Sequence, residues 1–144
     1  MTRPAEFTVA VADWGADGDA IRAVREAVFI REQGVPAEME WDEDDPVSTH
    51  LLARSDTGEP IGTARLLPDG HVGRMAVVQA WRGRGVGAAL LNRVLAIAGE
   101  RGWKELRLHA QVHAIPFYRR FGFVATGPEF MEAGIAHRAM SLCL

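Results

Sequence analysis

The stretch Arg82-Gly83-Arg84-Gly85-Val86-Gly87-Ala88 combines three alternating glycines with two arginines. It follows an apolar run, Met75-Ala76-Val77-Val78, and leads into a helical pattern that lasts until about Gly102. Glycines at alternate positions leave backbone N–H groups uncovered, and the helix that follows points the positive end of its dipole at them. The stretch therefore predicts a cradle for a phosphate or pyrophosphate, with two arginines adding positive charge beside it.

The composition predicts a single domain over residues 1–144, because the chain has 144 residues, of which 48% are hydrophobic and 24% charged. A net charge of -3 gives no support to nucleic-acid binding. No apolar run approaches the ~20 residues of a membrane span, and the N-terminus leads into no signal-peptide core. The lone cysteine, Cys143, excludes an internal disulfide and fits a reducing, cytoplasmic setting.

The first elements are a strand and a helix. Residues Phe7 to Val11 alternate in the manner of a strand, and Asp17 or Asp19 is expected to cap the helix that follows. Gly34 and Pro36 together predict where that helix stops.

The segment from Pro36 to Pro46 contains six acidic residues and no basic one. Outside it, thirteen acidic residues face sixteen basic ones, so the remainder of the chain carries +3 and the acidity of the protein is local. Two interpretations stay open: a solvated surface loop, or a lip over the substrate site that favours a cationic acceptor.

Three strands come next, and two tight turns join them into an antiparallel meander. They are His50 to Ala53, Ile61 to Leu67, and His71 to about Val78. The end of the third strand meets the glycine stretch.

The second half of the chain alternates helices and strands. The expected elements are the helix after Gly87, a strand from Glu105 to Val112, a short helix from Ala114 to Phe121, and a last ribbon of Phe123 to Ala125 with Ala136 to Leu142. The order is β-α-β-β-β-α-β-α-β-β. It predicts an α+β fold with a mixed central sheet flanked by helices, because the helix between two strands forces a parallel crossover.

Letter by letter, Gly83-x-Gly85-x-x-Ala88 satisfies the dinucleotide fingerprint. The context argues against it, because a meander precedes the turn and Glu105 stands at the start of the next strand rather than at its end. A nucleotide triphosphate loop is excluded by the absence of Gly-Lys-Ser/Thr.

The better match is a resemblance to a known family. Arg82-x-x-Gly85-x-Gly87 resembles the Q/R-x-x-G-x-G/A motif of the GNAT superfamily of acetyl-CoA-dependent N-acyltransferases, and it stands between a strand and a long helix, as in that family. A second family motif follows as the stretch from Ala114 to Phe123. The stretch from Val28 to Pro36, with the acidic segment and His50 after it, resembles the ElaA-like branch.

The resemblance implies a GNAT-type fold that binds acetyl-CoA as co-substrate. The residues it assigns to the donor are Met75, Ala76, Val77, Arg82, Gly83, Arg84, Gly85, Val86, Gly87, Ala88, Gln111, Ala114, Phe117 and Tyr118. The pantetheine would pair with the backbone of residues 75–77 as an extra strand does. Many family members have an asparagine where this chain has Gln111, so the amide contact is retained with one more methylene.

The resemblance also implies a direct attack of a free amine on the thioester. The N–H of Val77 is the candidate oxyanion donor, and Tyr118 would protonate the departing thiolate. The general base stays open among Glu32, His109, His113, the acids of the loop and a water relay. His109 and His113 have ligand-like spacing without a third ligand, so no metal is expected.

The predicted function is acetyl transfer to a primary amine of a small molecule, peptide or protein. The alternative is a catalytically silent acyl-CoA-binding module with a regulatory or interaction role, and a nucleotide-binding oxidoreductase is a more distant one. An exposed edge strand favours a homodimer. The sequence identifies neither the amine acceptor nor the range of acyl groups.

Overall fold

The computed structural model describes residues 6–144, and within them eight strands form one mixed sheet. The strands are β1 (Phe7–Ala12), β2 (Thr49–Ser55), β3 (Pro60–Leu66), β4 (His71–Val77), β5 (Glu105–Gln111), β6 (Val124–Ala125), β7 (Phe130–Glu132) and β8 (Ile135–Cys143). Their order across the sheet is β1-β2-β3-β4-β5-β8-β6, and β7 also pairs with β8. The α+β class and the mixed sheet expected from the sequence are confirmed.

The helices are α1 (Trp14–Arg25), a π-helical segment (Glu26–Glu32), α2 (Ala37–Glu40), α3 (Val86–Glu100) and α4 (Ile115–Arg119), with three single-turn 3-10 segments. Leu90, Leu91 and Val94 of α3 are fully buried against the sheet. Gly62 of β3 permits this close packing, since a Cβ there would lie 2.8 Å from Cγ1 of Val86. The start of α3 is thereby pressed onto the sheet beside the end of β4.

The central strands β4 and β5 run parallel, joined by the predicted crossover through α3. Only two residue pairs connect them, His71 with Arg107 and Val72 with Leu108. Beyond these pairs the strands part. The rest of β4 and the end of β5 therefore form the two sides of an opening in the middle of the sheet.

A bulge in β4 accompanies this opening. Thr63 of β3 faces Ala76, whereas Arg65 faces Gly73, so two residues of β4 stand opposite a single residue of β3. One of the two, Arg74, has a left-handed backbone with φ of 47°. Such a conformation is costly for a residue with a side chain and needs support from its surroundings.

The acidic segment supplies that support. The Arg74 guanidinium contacts the carboxylates of Glu40 and Asp42, at 3.3 and 3.2 Å, and the carbonyl oxygen of Met39. The expectation of a solvated loop is therefore wrong for these acids, because they are partners for arginines of the fold. The substrate-lip interpretation stays a prediction, since Met39 and Glu40 line the cavity between β4 and β5.

Two of the six acids, Glu40 and Asp45, are almost completely buried, at 2% and 1% exposure. Both bind the fully buried Arg25 of α1, each at 2.7 Å, and Arg65 lies 3.0 Å from Asp45. Burial acts to raise the pKa of Asp45, but the hydrogen bond and charge of Arg25 outweigh it and leave that pKa lowered. Burial dominates at Glu40, whose pKa is raised. The acidic segment therefore contributes to an internal ion-pair cluster in which the charges of the acids and of the arginines nearly balance.

Two local expectations need correction. Helix α1 is capped by Asp13, whose carboxylate accepts from the N–H of Ala16 at 2.7 Å, rather than by Asp17 or Asp19. Asp17 instead lies inside the first turn and accepts from the N–H of Asp13. The helical stretch ends as predicted, with Gly34 in the left-handed region.

The sequence did not predict strand β7. It forms a hairpin with β8 through Ala133 and Gly134, both with positive φ, of 52° and 77°. A two-residue turn of this kind usually carries Asn-Gly or Asp-Gly, and Ala-Gly gives a weaker signal. The predicted ribbon of β6 with β8 is confirmed, with Val124 opposite Ser141.

Candidate active site

The glycine turn is open to solvent at the start of α3. Gly83 and Gly85 have φ values of 75° and 87°, and a Cβ built at either would meet no atom within 4 Å. Gly85 is the N-cap, and no side chain caps the helix. Because the first N–H groups of a helix have no acceptor within it, those of the first turn of α3 are free to bind an anion.

The two predicted motifs meet at this turn. A Cβ placed on Gly87 would lie 3.5 Å from the ring of Phe117 and 3.9 Å from the methyl group of Met75. The glycine turn, the splayed part of β4 and helix α4 are therefore neighbours, although Phe117 is far from the other two in sequence.

The two arginines of the turn have protein partners. Arg82 binds the carboxylate of Glu32 with two nitrogens, at 2.5 and 2.6 Å, and donates from Nε to the carbonyl oxygen of Val77 at 3.0 Å. Arg84 lies 4.2 Å over the ring of Trp81 and 3.1 Å from Glu6. Arg84 is half-exposed beside the turn, whereas Arg82 ties the turn to the π-helical segment.

The opening between β4 and β5 is a cleft of about 1020 Å³. The predicted residues that line it are Met75, Ala76, Val77, Arg82, Gln111, Ala114 and Tyr118. The remaining predicted residues lie outside the cavity wall: Gly83, Arg84, Gly85, Val86, Gly87, Ala88 and Phe117. The cleft and the glycine turn adjoin through Arg82, so an elongated ligand that reaches from one to the other fits the arrangement.

Tyr118 stands in the wall of the cleft among aromatic rings. Its ring centroid is 5.2 Å from that of Phe117 and 6.0 Å from that of Phe123, both edge-on. Burial raises the pKa of Tyr118 to about 12. The phenol is therefore fully protonated at neutral pH and has a proton to give.

Gln111 is paired across the cleft. Its amide donates to Oε1 of Gln33 at 2.8 Å and accepts from Nε2 of Gln33 at 3.3 Å. Glu32 and Gln33, at the end of the π-helical segment, thus reach opposite sides of the opening. Gln33 was not among the sequence-predicted residues, although π-helical turns often mark functional sites.

Of the candidate bases, Glu32 is a poor one. The hydrogen bond and charge of Arg82 hold the pKa of Glu32 below its usual value. The described chain places no carboxylate within ion-pair distance of His113. His109, in contrast, lies 3.1 Å from Glu132, a residue that sequence reasoning missed because it lies on β7.

Neither a metal site nor a membrane-spanning helix is found among the described residues. Residues 6–144 contain no cluster of three or more His, Cys, Asp or Glu side chains able to hold a metal ion. In the same part of the chain, no helix has the length and apolar character needed to cross a bilayer.

The fold, the splayed central strands and the glycine turn define an acyl-CoA-dependent N-acyltransferase of the GNAT type. The comparisons agree: the sequence matches the family described as "Acetyltransferase (GNAT) domain" over residues 16–144, and the chain belongs to this family. Members of the family take their acyl group from acyl-CoA, so the expected donor class and the enzyme class are both supported.

Among relatives, the chain is similar to the uncharacterized N-acetyltransferase YjcF of Bacillus subtilis, at 38% identity over 81% of this chain and 86% of that protein. It is also similar to an acyl-CoA N-acyltransferase from Pseudomonas aeruginosa, at 32% identity and a TM-score of 0.81, with 94% and 98% of the two chains covered. The Escherichia coli protein ElaA is 31% identical over 85% of this chain and 84% of its own. The crystal structure of ElaA superposes with a TM-score of 0.82 over 94% and 98% of the two chains, which confirms the predicted ElaA-like branch.

Proposed function

We propose that this protein transfers an acetyl group from acetyl-CoA to a primary amine by direct attack within a ternary complex. The observation that carries the proposal is the position of Tyr118. This protonated phenol lines the same cleft as the splayed segment of β4, and the cleft adjoins an uncapped helix N-terminus. A donor that spans these features brings its thioester close to an acid.

The donor is held largely by backbone groups. The N–H groups from Gly83 to Ala88 hold the pyrophosphate, with Arg84 beside them, and the splayed residues Met75 to Val77 pair with the pantetheine as an edge strand does. The carbonyl of Val77 is already engaged by Arg82, so the donor relies on the other backbone groups of this segment. The amide of Gln111 exchanges its partner Gln33 for the pantetheine.

The chemistry needs charge stabilisation and two proton movements. The N–H of Val77 stabilises the negative oxygen of the tetrahedral intermediate, an effect often worth ~3 kcal/mol. Tyr118 protonates the departing thiolate, for which the protonated phenol is the required form. A group on the other side of the cleft must accept the proton of the incoming ammonium.

Thiol release from acetyl-CoA across amines, amino acids, polyamines and peptides tests this function. Release that depends on one class of amine and yields its N-acetyl derivative is expected. Acetyl-CoA binding without release on any acceptor would contradict it and favour the silent acyl-CoA-binding module.

We further propose that residues 1–144 form one catalytic domain and that the protein acts in the cytoplasm. A homodimer stays a prediction from the exposed sheet edge.

A further inference from the structure

His109 lies where β4 and β5 part. The last backbone pair between these strands joins Val72 to Leu108, so His109 is the first residue of β5 beyond the paired segment. It alternates onto the same face of the strand as Gln111, and both residues line the cleft. Two residues along a strand correspond to about 7 Å, which places His109 next to the amide proposed for the pantetheine.

The carboxylate of Glu132 fixes the tautomer of this imidazole. Nδ1 of His109 is 3.1 Å from Oε1 of Glu132, and Phe130 holds the ring edge-on at a centroid distance of 5.0 Å. An ionised carboxylate can only accept a hydrogen bond, so Nδ1 carries the hydrogen. The lone pair of neutral His109 is therefore on Nε2, where it can accept a proton.

Glu132 differs from the other carboxylates that line the cleft. Glu32 and Glu40 are both bound by arginine guanidinium groups. Glu132 instead lies between two imidazoles, with Oε1 at His109 and Oε2 3.6 Å from Nε2 of His137. Glu132 is therefore the one carboxylate of the cleft wall that contacts imidazoles rather than guanidinium groups among the described residues.

The other charged and titratable groups near His109 come from β4, β5 and the turn before β4. His71 approaches edge-on at 6.3 Å between ring centroids and is bound to Asp69 at 3.0 Å. Arg107, on the same face of β5, donates to the carbonyl oxygen of Asp69 at 3.3 Å. His71 also lines the cleft, but it belongs to the paired part of β4, whereas His109 lies beyond the paired segment and two residues from Gln111.

We propose that His109 is the general base that accepts the proton of the acceptor ammonium, with Glu132 as its positioning residue. The inference rests on the proposed acetyl transfer. A primary alkylamine has a pKa of about 10 and arrives protonated at neutral pH. Its nitrogen must lose a proton before it can attack.

The proton balance closes with His109 and Tyr118. The ammonium proton passes to Nε2 of His109 and on to water, and the neutral nitrogen forms a C–N bond to the thioester carbonyl carbon. The C–S bond then breaks, and the thiolate takes the proton of Tyr118. The Tyr118 oxygen then takes back a proton from the nitrogen of the newly formed, still protonated amide. Each turnover therefore releases one proton to solvent, the one that passed through His109.

The test compares His109→Gln with the wild type on two acceptors. One is the alkylamine with the fastest thiol release in the panel; the other is its β,β-difluoro analogue, whose ammonium pKa lies below the assay pH. The His109→Gln variant should lose about 100-fold or more in kcat/KM with the alkylamine and less than about 5-fold with the analogue, which arrives already neutral. His113→Gln is the matched variant at the other exposed histidine of the cleft.

A purely structural role for His109 would lower both rates equally, and that result would overturn the assignment while leaving the acetyltransferase function intact. A selective loss in His113→Gln instead would move the base to His113. If the wild type releases no thiol with any acceptor, the proposed function and the base both fail. Melting temperature and acetyl-CoA affinity confirm that each variant is folded, and imidazole added to His109→Ala should restore part of the alkylamine rate.

Discussion

The two walls of the cleft are built in different ways. The donor wall, which we define as Gly73–Val77 and residues 82–88, consists of two short segments, and the groups proposed to bind the donor there are mostly backbone N–H and C=O. The acceptor wall, defined as Glu32, Gln33, His109 and the β7–β8 hairpin, consists of side chains from three separate parts of the chain. The donor wall would therefore bind acetyl-CoA mainly through main-chain groups, whereas the acceptor wall presents side chains to the amine.

This difference has a functional consequence. Backbone groups hold a ligand that is always the same, because their positions depend on the fold rather than on residue identity. Side chains set the charge and shape presented to a ligand that can vary. We therefore expect substitutions in the donor wall to change acetyl-CoA binding, and substitutions in the acceptor wall to change which amine reacts and how fast.

The largest effect is expected from breaking the buried ion-pair cluster that supports Arg74 of the donor wall. Arg25→Ala should cost about 3–5 kcal/mol of unfolding free energy, because Glu40 and Asp45 would be left as buried charges without their main partner. The melting temperature should fall by roughly 10 °C. Arg31→Ala is the matched control, since its pair with Glu26 is exposed and worth under about 1 kcal/mol. Equal melting temperatures for the two variants would show that the cluster stabilises little.

Tyr118→Phe should lower turnover by about 100- to 1000-fold while acetyl-CoA affinity changes less than about 2-fold. The reason is that the variant keeps the ring packing with Phe117 and Phe123 and loses only the proton donor. Steady-state kinetics and calorimetric titration with acetyl-CoA measure the two effects separately. Unchanged turnover would remove Tyr118 from the acid role.

The ionisation of Tyr118 can be followed directly, because the chain contains one tyrosine. The phenolate absorbance of the folded protein should appear with a midpoint near the pKa of about 12, against about 10 in urea. The unfolded chain releases this proton first, so the free energy of unfolding should fall as pH rises from about 10 to 12, and fall less in Tyr118→Phe. A midpoint near 10 in the folded protein would mean that the hydroxyl is solvated.

Arg84→Glu should weaken acetyl-CoA binding by about 10- to 30-fold, because it places a negative charge beside the free N–H groups of the turn. The increase in melting temperature caused by acetyl-CoA should then disappear at concentrations that suffice for the wild type. Arg93→Glu, on the exposed side of α3, provides the same charge change away from the turn. Comparable losses in both variants would point to a general charge effect.

The donor wall was predictable because its signals are local. The spacing from Gly83 to Gly87 and the apolar strand before it each describe one continuous segment. The stretch around Tyr118, which lines the same cleft, is local in the same way. The element order also predicts the parallel crossover that places β4 beside β5. It does not predict that the two strands part beyond Val72 and Leu108. The ion pairs of the donor wall's arginines depend on distant residues, Arg82 on Glu32, Arg84 on Glu6 and Arg74 on the acidic segment, and the sequence did not indicate them.

The acceptor wall was less predictable because its partners are far apart in sequence. His109 was one of several candidate bases, and what separates it from the others is Glu132, on a strand whose Ala-Gly turn gives a weak signal. The interpretation of the acidic segment as a solvated loop was wrong in part for the same reason. Its charges look solvated in the sequence, whereas Arg25 and Arg65 reach them only in the folded chain.

A titration of coenzyme A into ¹⁵N-labelled protein, followed by amide chemical shifts, tests the central claim most directly. The largest changes are expected at the N–H groups of Gly83 and Gly85 to Ala88, with Val77 and Gln111 next. The acceptor wall beyond Gln33 should change little. A second, smaller cavity lies beside β5 and β8 and is lined by Thr126 and Ser141. Large shifts confined to that cavity, with the glycine turn unaffected, would contradict the assignment of the donor site.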